Sequence, residues 1–295
     1  MSTPRSGTTR FAQRDNARIA YDPGAWPDGS DAAPVVVLLH GLLADRNAFA
    51  AQREALADQF RVISPDARGH GASPSVANQW YSIAELAADI VAILDVEAIA
   101  AAHLIGHDLG GATAFEVARK HPARVRSLTL IEPAVASLVD NHPDGTAGAA
   151  RNDLRATDRA AADDAYKGVI DLALDRYLRP RWGPGWKAEV TKPRLGAIRR
   201  NAGSLAGLLP ALDGYTIHRS DAADVPAPTL VIAGDDATPL DRAICARLAE
   251  ALPAGQHETV PFGSRPNGPL AGDVADRITD VIGTFLREGE VTAQG

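Results

Sequence analysis

The chain has 295 residues, 45% of them apolar and 23% charged, enough to bury one large core carrying an inserted segment. Its formal net charge is −7 and it contains no basic block, which argues against a nucleic-acid partner. No run of about 18 apolar residues occurs, so no membrane span is expected, and residues 1–18 lack the apolar centre of a signal peptide. The expected setting is the cytoplasm, and a homodimer is compatible with the sequence. Cys245, the single cysteine, sits among Ala243, Ile244, Ala246 and Leu248 and reads as a small buried residue rather than a reactive thiol.

In chain order, residues 24–30 (Gly-Ala-Trp-Pro-Asp-Gly-Ser) read as a turn between two early antiparallel strands. Residues 34–39 form an unbroken apolar run, the pattern of a strand covered on both faces. Residues 48–58 read as a helix, 60–64 as a strand, 82–94 as a helix, 103–106 as a strand, 112–120 as a helix and 127–131 as a strand. Residues 136–224 break this rhythm: they contain helical patterns cut by Pro180, Pro184 and Pro193, and no strand-like run. A further strand is expected at 229–233. The expected fold class is α/β, a mostly parallel, doubly wound sheet with an inserted helical cap. Residues 1–135 and 225–295 would form the core domain and 136–224 the cap.

The chemistry gathers at Gly106-His107-Asp108-Leu109-Gly110-Gly111, between an expected strand and an expected helix. A sharp strand-to-helix turn needs glycine where backbones approach closely, and it lifts the residue at its apex into the crevice above the strand ends. That residue is Asp108. The plain alternative is a helix N-cap, a role aspartate fills well. His107 is expected to face away, because successive residues of a strand point apart. The backbone N–H groups of Leu42 and Leu109 are placed to form an oxyanion hole. No metal ligands and no cofactor motif are recognised, so the expected ligand is a small-molecule substrate alone.

His40-Gly41-Leu42-Leu43, the loop Asp66-Ala67-Arg68-Gly69-His70-Gly71-Ala72-Ser73 and the turn at Asp108 stand in the order and spacing of α/β-hydrolases. From about Phe11 to Phe285 the chain resembles the epoxide hydrolase, haloalkane dehalogenase and fluoroacetate dehalogenase branch of that superfamily, whose nucleophile is an aspartate. The resemblance implies that Asp108 would attack carbon and form an ester. It gives His40 a part in shaping the oxyanion loop at the substrate, and the Asp66 to Ser73 loop a bracing role.

Three departures qualify it. The family histidine should follow the last strand, where Val260-Pro261-Phe262-Gly263-Ser264-Arg265 places Arg265. Arginine stays protonated and cannot activate water, but it can pair with Asp108 or Glu132 or hold an anion. The family acid falls at Ala237, leaving Asp235, Asp236 or Glu132 as replacements; the plain reading of Glu132 is a pocket-wall or loop-anchoring residue. Leu109 lacks the halide-binding donor of dehalogenases, whereas Tyr166, Tyr177 and Tyr215 keep epoxide chemistry open. Tyr166, Tyr215, Trp182 and Trp186 are candidate substrate contacts, with ordinary core packing as the alternative.

Three functions are therefore weighed. The first is a non-hydrolytic elimination, isomerisation, cyclisation or lyase step on a mostly apolar metabolite, with Asp108 as acid, base or electrostatic anchor. The second is an epoxide hydrolase or related hydrolase with a relocated base. The third is a non-catalytic ligand-binding relative.

Overall fold

The computed structural model describes residues 8–15, 17–27, 33–75, 81–140, 145–262, 270 and 274–293. Eight strands form one sheet in the order β1-β2-β4-β3-β5-β6-β7-β8. β1 (Arg10–Arg14) and β2 (Ala17–Asp22) form an antiparallel hairpin that joins β4 (Arg61–Pro65) at the sheet edge. From β4 onward the order runs through β3 (Val35–Leu39), β5 (Ala102–His107), β6 (Val125–Ile131), β7 (Thr229–Gly234) and β8 (Gly255–Val260), all parallel. The expected parallel sheet is present. One detail is corrected: the early antiparallel turn lies at Asp15 (φ 51°), not at 24–30, whose described residues instead lead from β2 toward β3.

The unbroken apolar run of β3 is explained by its two faces. Val35, Val37 and Leu39 pack under α2 (Ile83–Val96) and α3 (Leu109–Lys120), beyond α1 (Ala50–Leu56) in the chain. Val36 and Leu38 meet Phe49 and Leu56 on the other face, together with Ile278 and Ile282 near the C-terminus. A strand wetted on neither face has no reason to alternate. Cys245 is buried in the first of these clusters, as its neighbours suggested.

Between β6 and β7 the described residues form helices and no strand. They are α4 (Thr146–Tyr166), α5 (Ile170–Trp182), α6 (Trp186–Glu189), α7 (Lys192–Asn201), α8 (Leu205–Gly214) and α9 (Arg219–Ala223). α4 packs on α5 and α8. Side chains of this layer reach the loops that follow β3 and β4: Asn201 donates to the Ala44 carbonyl (2.6 Å) and accepts from the Gly71 N–H (3.0 Å). α10 (Pro239–Ala251) and α11 (Ala275–Ala293) complete the cover of the sheet. Among the described residues no helix is long and apolar enough to cross a membrane.

Candidate functional site

The turn at residue 108 is built by steric necessity. Asp108 has φ 51° and ψ −115°, a backbone shape that side chains rarely adopt. It is held because α3 starts immediately beyond it, pressed against the ends of β3 and β5. A Cβ on Gly106 would lie 2.3 Å from the Gly110 carbonyl oxygen, and one on Gly110 would lie 2.0 Å from that of Leu39. Asp108 occupies the N-cap position of α3 but makes no side-chain capping bond in the usual sense. Its Oδ2 accepts the Leu42 N–H at 2.9 Å, and the Leu109 N–H donates to the same carboxylate. Both expected oxyanion donors are thus turned onto Asp108 itself.

The carboxylate opens into a cavity of about 790 Å³ between the sheet and the helical layer. Protein packs around Asp108 except where it faces this space. Burial raises its pKa above the ordinary carboxylate range, opposed by the two backbone N–H groups and, at longer range, by Arg181 and Arg194. Leu42, His107, Glu132, Tyr177, Arg181 and Trp182 line the same cavity.

His107 thus lines the cavity instead of facing away. The alternation that predicts the opposite holds along a strand, and the chain leaves strand geometry at Asp108. Glu132 has φ 40°, and its Oε1 accepts the Gly234 N–H at 3.2 Å, tying the end of β6 to the end of β7. It is therefore a loop anchor as well as a cavity wall. Asp236 is exposed beyond β7 and does not line the cavity, whereas Asp241, at the start of α10, does. Arg265 lies outside the described residues.

The helical layer sorts the aromatic candidates. Trp182 lines the cavity; Trp186 is fully buried in the core, packed edge-to-face on Trp182 with centroids 6.3 Å apart. Tyr166, 73% exposed, and Tyr215, whose hydroxyl donates to Glu116 at 2.9 Å, do not line the cavity, so neither is placed to contact a ligand there. Tyr177 is the tyrosine that lines it. Its phenol pKa is raised by burial and it carries Arg181 over its ring at 4.1 Å. Tyr177 continues the buried stripe Ala173, Leu174, Leu178 of α5, a spacing that marks an inward face.

His40 does not line this cavity either. Its ring is buried, with Nε2 accepting the Ala67 N–H (2.9 Å) and Nδ1 against the Gly41 carbonyl (2.8 Å), so it shapes the oxyanion loop from beneath. His70 accepts the Leu43 N–H at 3.2 Å, and the two rings lie 5.1 Å apart. Asp66 accepts from the Arg46 and Ala72 N–H groups at 2.8 and 2.9 Å, and Arg68 forms a buried ion pair with Asp89. The segment from Asp66 to Ser73 is a brace, as the resemblance implied.

Burial lowers the pKa of both histidines, that of His70 from 6.5 to about 3. A group whose folded pKa is depressed in this way favours the native state above its unfolded value. That contribution is lost as pH falls through the window down to the folded value. Melting temperature is therefore expected to fall steadily between pH 6.5 and about 3. The His70→Gln protein, which keeps an acceptor for Leu43, should show a flatter decline; melts with identical slopes would contradict the assignment.

The model of the alpha/beta hydrolase fold matches residues 34–169. A protein of Klebsiella pneumoniae subsp. pneumoniae, named provisionally as carbamate hydrolase RutD, is 29% identical over 280 residues, 92% of this chain and 95% of that protein. A Variovorax paradoxus protein named in the same way is 48% identical over 71 residues, which are 24% of this chain but only 27% of that relative. The crystal structure of the enol-lactonase from Burkholderia xenovorans superposes with a TM-score of 0.72 at 24% identity, covering 94% of this chain and all of that one. Together they show the α/β-hydrolase fold and support an enzyme, with its reaction class left open. They do not single out the epoxide hydrolase branch.

Proposed function

We propose that the protein is a cofactor-independent enzyme in which Asp108 moves a proton on a small, mostly apolar substrate enclosed beneath the helical layer. The observation that carries this reading is the state of Asp108. Oδ2 accepts the Leu42 N–H, the Leu109 N–H donates to the same carboxyl group, and burial raises its pKa above the ordinary carboxylate range. An aspartyl ester formed here would need a second base for its hydrolysis, whereas proton transfer by Asp108 needs none. In the proposed step Asp108 takes a proton from carbon while Tyr177 donates a hydrogen bond to the substrate oxygen where charge collects. Returning the proton to another atom completes an isomerisation; departure of a leaving group with its electron pair completes an elimination. Leu154, Leu178, Leu209, Ile244 and Phe262 supply the apolar wall, and the helical layer serves as the cap that excludes water.

The test is hydrogen exchange. The enzyme is incubated in heavy water with a panel of aryl ketones, cyclic enones and enol lactones, and products are read by mass spectrometry. Deuterium is expected at carbon next to the carbonyl with the native protein and not with the Asp108→Asn protein. Exchange that is absent across the panel, or unaffected by the substitution, counts against the reading.

A second reading is favoured by one observation. Pinning Oδ2 leaves the other Asp108 oxygen for attack on carbon, and His107 lines the same cavity as a relocated base for the resulting ester. That is the hydrolase alternative.

A further inference from the structure

The arginines lining the cavity differ in how they are neutralised. Arg181 forms a two-pronged pair with Asp158, both contacts at 2.8 Å. Arg155 and Arg159 share Asp213 at 2.5 and 2.9 Å, and Arg151 pairs with Asp140. Arg194, on α7, forms no ion pair with a carboxylate among the described residues. Its Nη1 donates to the Leu43 carbonyl at 3.0 Å, and its Nε is buried without an acceptor. Trp182 flanks it, the guanidinium carbon lying 5.9 Å from the ring centroid. A buried cation with an unmet donor costs free energy that a bound anion recovers. The same Leu43 contact fixes the guanidinium beside the loop whose Leu42 N–H holds Asp108.

We propose that Arg194 anchors a carboxylate group of the substrate, so that the enzyme acts on small organic acids with an apolar body. The edge of the guanidinium formed by Nε and Nη2 matches the two oxygens of a carboxylate, while Nη1 stays on Leu43. Binding through this edge requires Nε to turn from its buried position toward the cavity. Trp182 gives the carbon skeleton an apolar and aromatic wall, and Asp108 meets the ligand where it extends along the cavity. Burial also depresses the Arg194 pKa, opposed by Asp45, Asp108 and Tyr177, the acidic groups facing it, so the bare site is one that an added anion stabilises. This inference names the substrate class for the proton-transfer reading and rests on that reading for what happens after binding.

The experiment reads binding alone, so it fails independently of the catalytic proposal. Phenylacetate, phenylacetamide and inorganic phosphate are titrated into the intact protein by calorimetry, with intrinsic tryptophan fluorescence as a second signal. Phenylacetate is expected to saturate at millimolar concentration and to bind at least tenfold more tightly than the amide. In Arg194→Gln that preference should fall to near unity, and in Arg194→Lys it should be intermediate; thermal melts verify folding, and the lysine variant carries the test if the glutamine variant does not fold. In Asp108→Asn phenylacetate should bind as well as or better than in the native protein, because a neighbouring negative charge is gone. Equal binding of acid and amide, no saturation by phenylacetate, saturation by phosphate only, or a preference that survives Arg194→Gln would overturn the proposal.

Discussion

Replacing Gly110 with alanine should leave little folded protein. The added Cβ would lie 2.0 Å from the Leu39 oxygen, 2.4 Å from the Leu39 carbon and 2.7 Å from the His40 oxygen. All three are backbone atoms at the end of the central strand β3, so no side chain can swing aside. Relief requires α3 to lift from the sheet, which parts the packing of Phe115 and Val117 beneath it. Overpacking of a yielding site costs about 1–3 kcal/mol, and a backbone clash of this depth costs more. Against a total stability of about 5–15 kcal/mol that is a large share. At about 2–4 °C for each kcal/mol, the melting temperature should fall by roughly 10 °C or more, if soluble protein is recovered at all. Gly203→Ala is the control. Nothing lies within 4 Å of its added Cβ, and its melt should be nearly unchanged. Similar melts for the two variants would mean that the turn at Asp108 is not packed as described.

Asp108→Asn should separate activity from stability in opposite directions. Asparagine keeps the shape of the side chain and an oxygen for the Leu42 N–H, but it cannot exchange a proton. Loss of a general acid or base lowers turnover by about two to four powers of ten. Stability should rise at neutral pH. Burial places the folded pKa of Asp108 above its unfolded value, so the native state prefers the protonated form. The contribution of such a group is complete below the unfolded pKa and is lost as pH rises through the folded one. At neutral pH the ionised carboxylate therefore weighs against folding, and asparagine removes that cost. The gain should shrink as pH is lowered into the carboxylate range, which melts of both proteins across pH will display. Full turnover in the variant, or a lower melting temperature at neutral pH, would contradict this account of the side chain.

Much of the fold and the apex of the site were legible in the sequence because their signals are local. The Gly106 and Gly110 spacing, the apolar run of β3 and the Asp66 to Ser73 loop each carry their geometry within a few residues. What was not legible depends on how distant elements meet. Tyr166, Tyr177 and Tyr215 looked alike as tyrosines of one helical segment. Only the packing of α5 against α4 turns Tyr177 inward, while Tyr215 finds Glu116 on α3. Arg194 carries no signal in the sequence, because nothing local distinguishes an arginine with a carboxylate partner from one without. His107 was misdirected by a rule sound for strands that fails at the strained residue beside it. The hairpin turn at Asp15 lacks the glycine and proline signals that 24–30 carries. Glu132 was legible as two alternatives, and its bond to Gly234 makes it an anchor that also lines the cavity.

The central claim is that Asp108 transfers a proton and forms no bond to carbon. It is tested most directly by running turnover in water labelled with heavy oxygen and weighing the peptide that carries Asp108, using whichever ketone, enone or enol lactone of the panel is converted. An aspartyl ester opened by water at its carbonyl carbon leaves one heavy oxygen in the Asp108 side chain, whereas proton transfer leaves the side chain unlabelled. An unlabelled peptide after many turnovers, with product free of solvent oxygen, is the expected result. A peptide heavier by the mass of one exchanged oxygen, with product carrying the label after further turnovers, would contradict it and establish Asp108 as the nucleophile of a hydrolase.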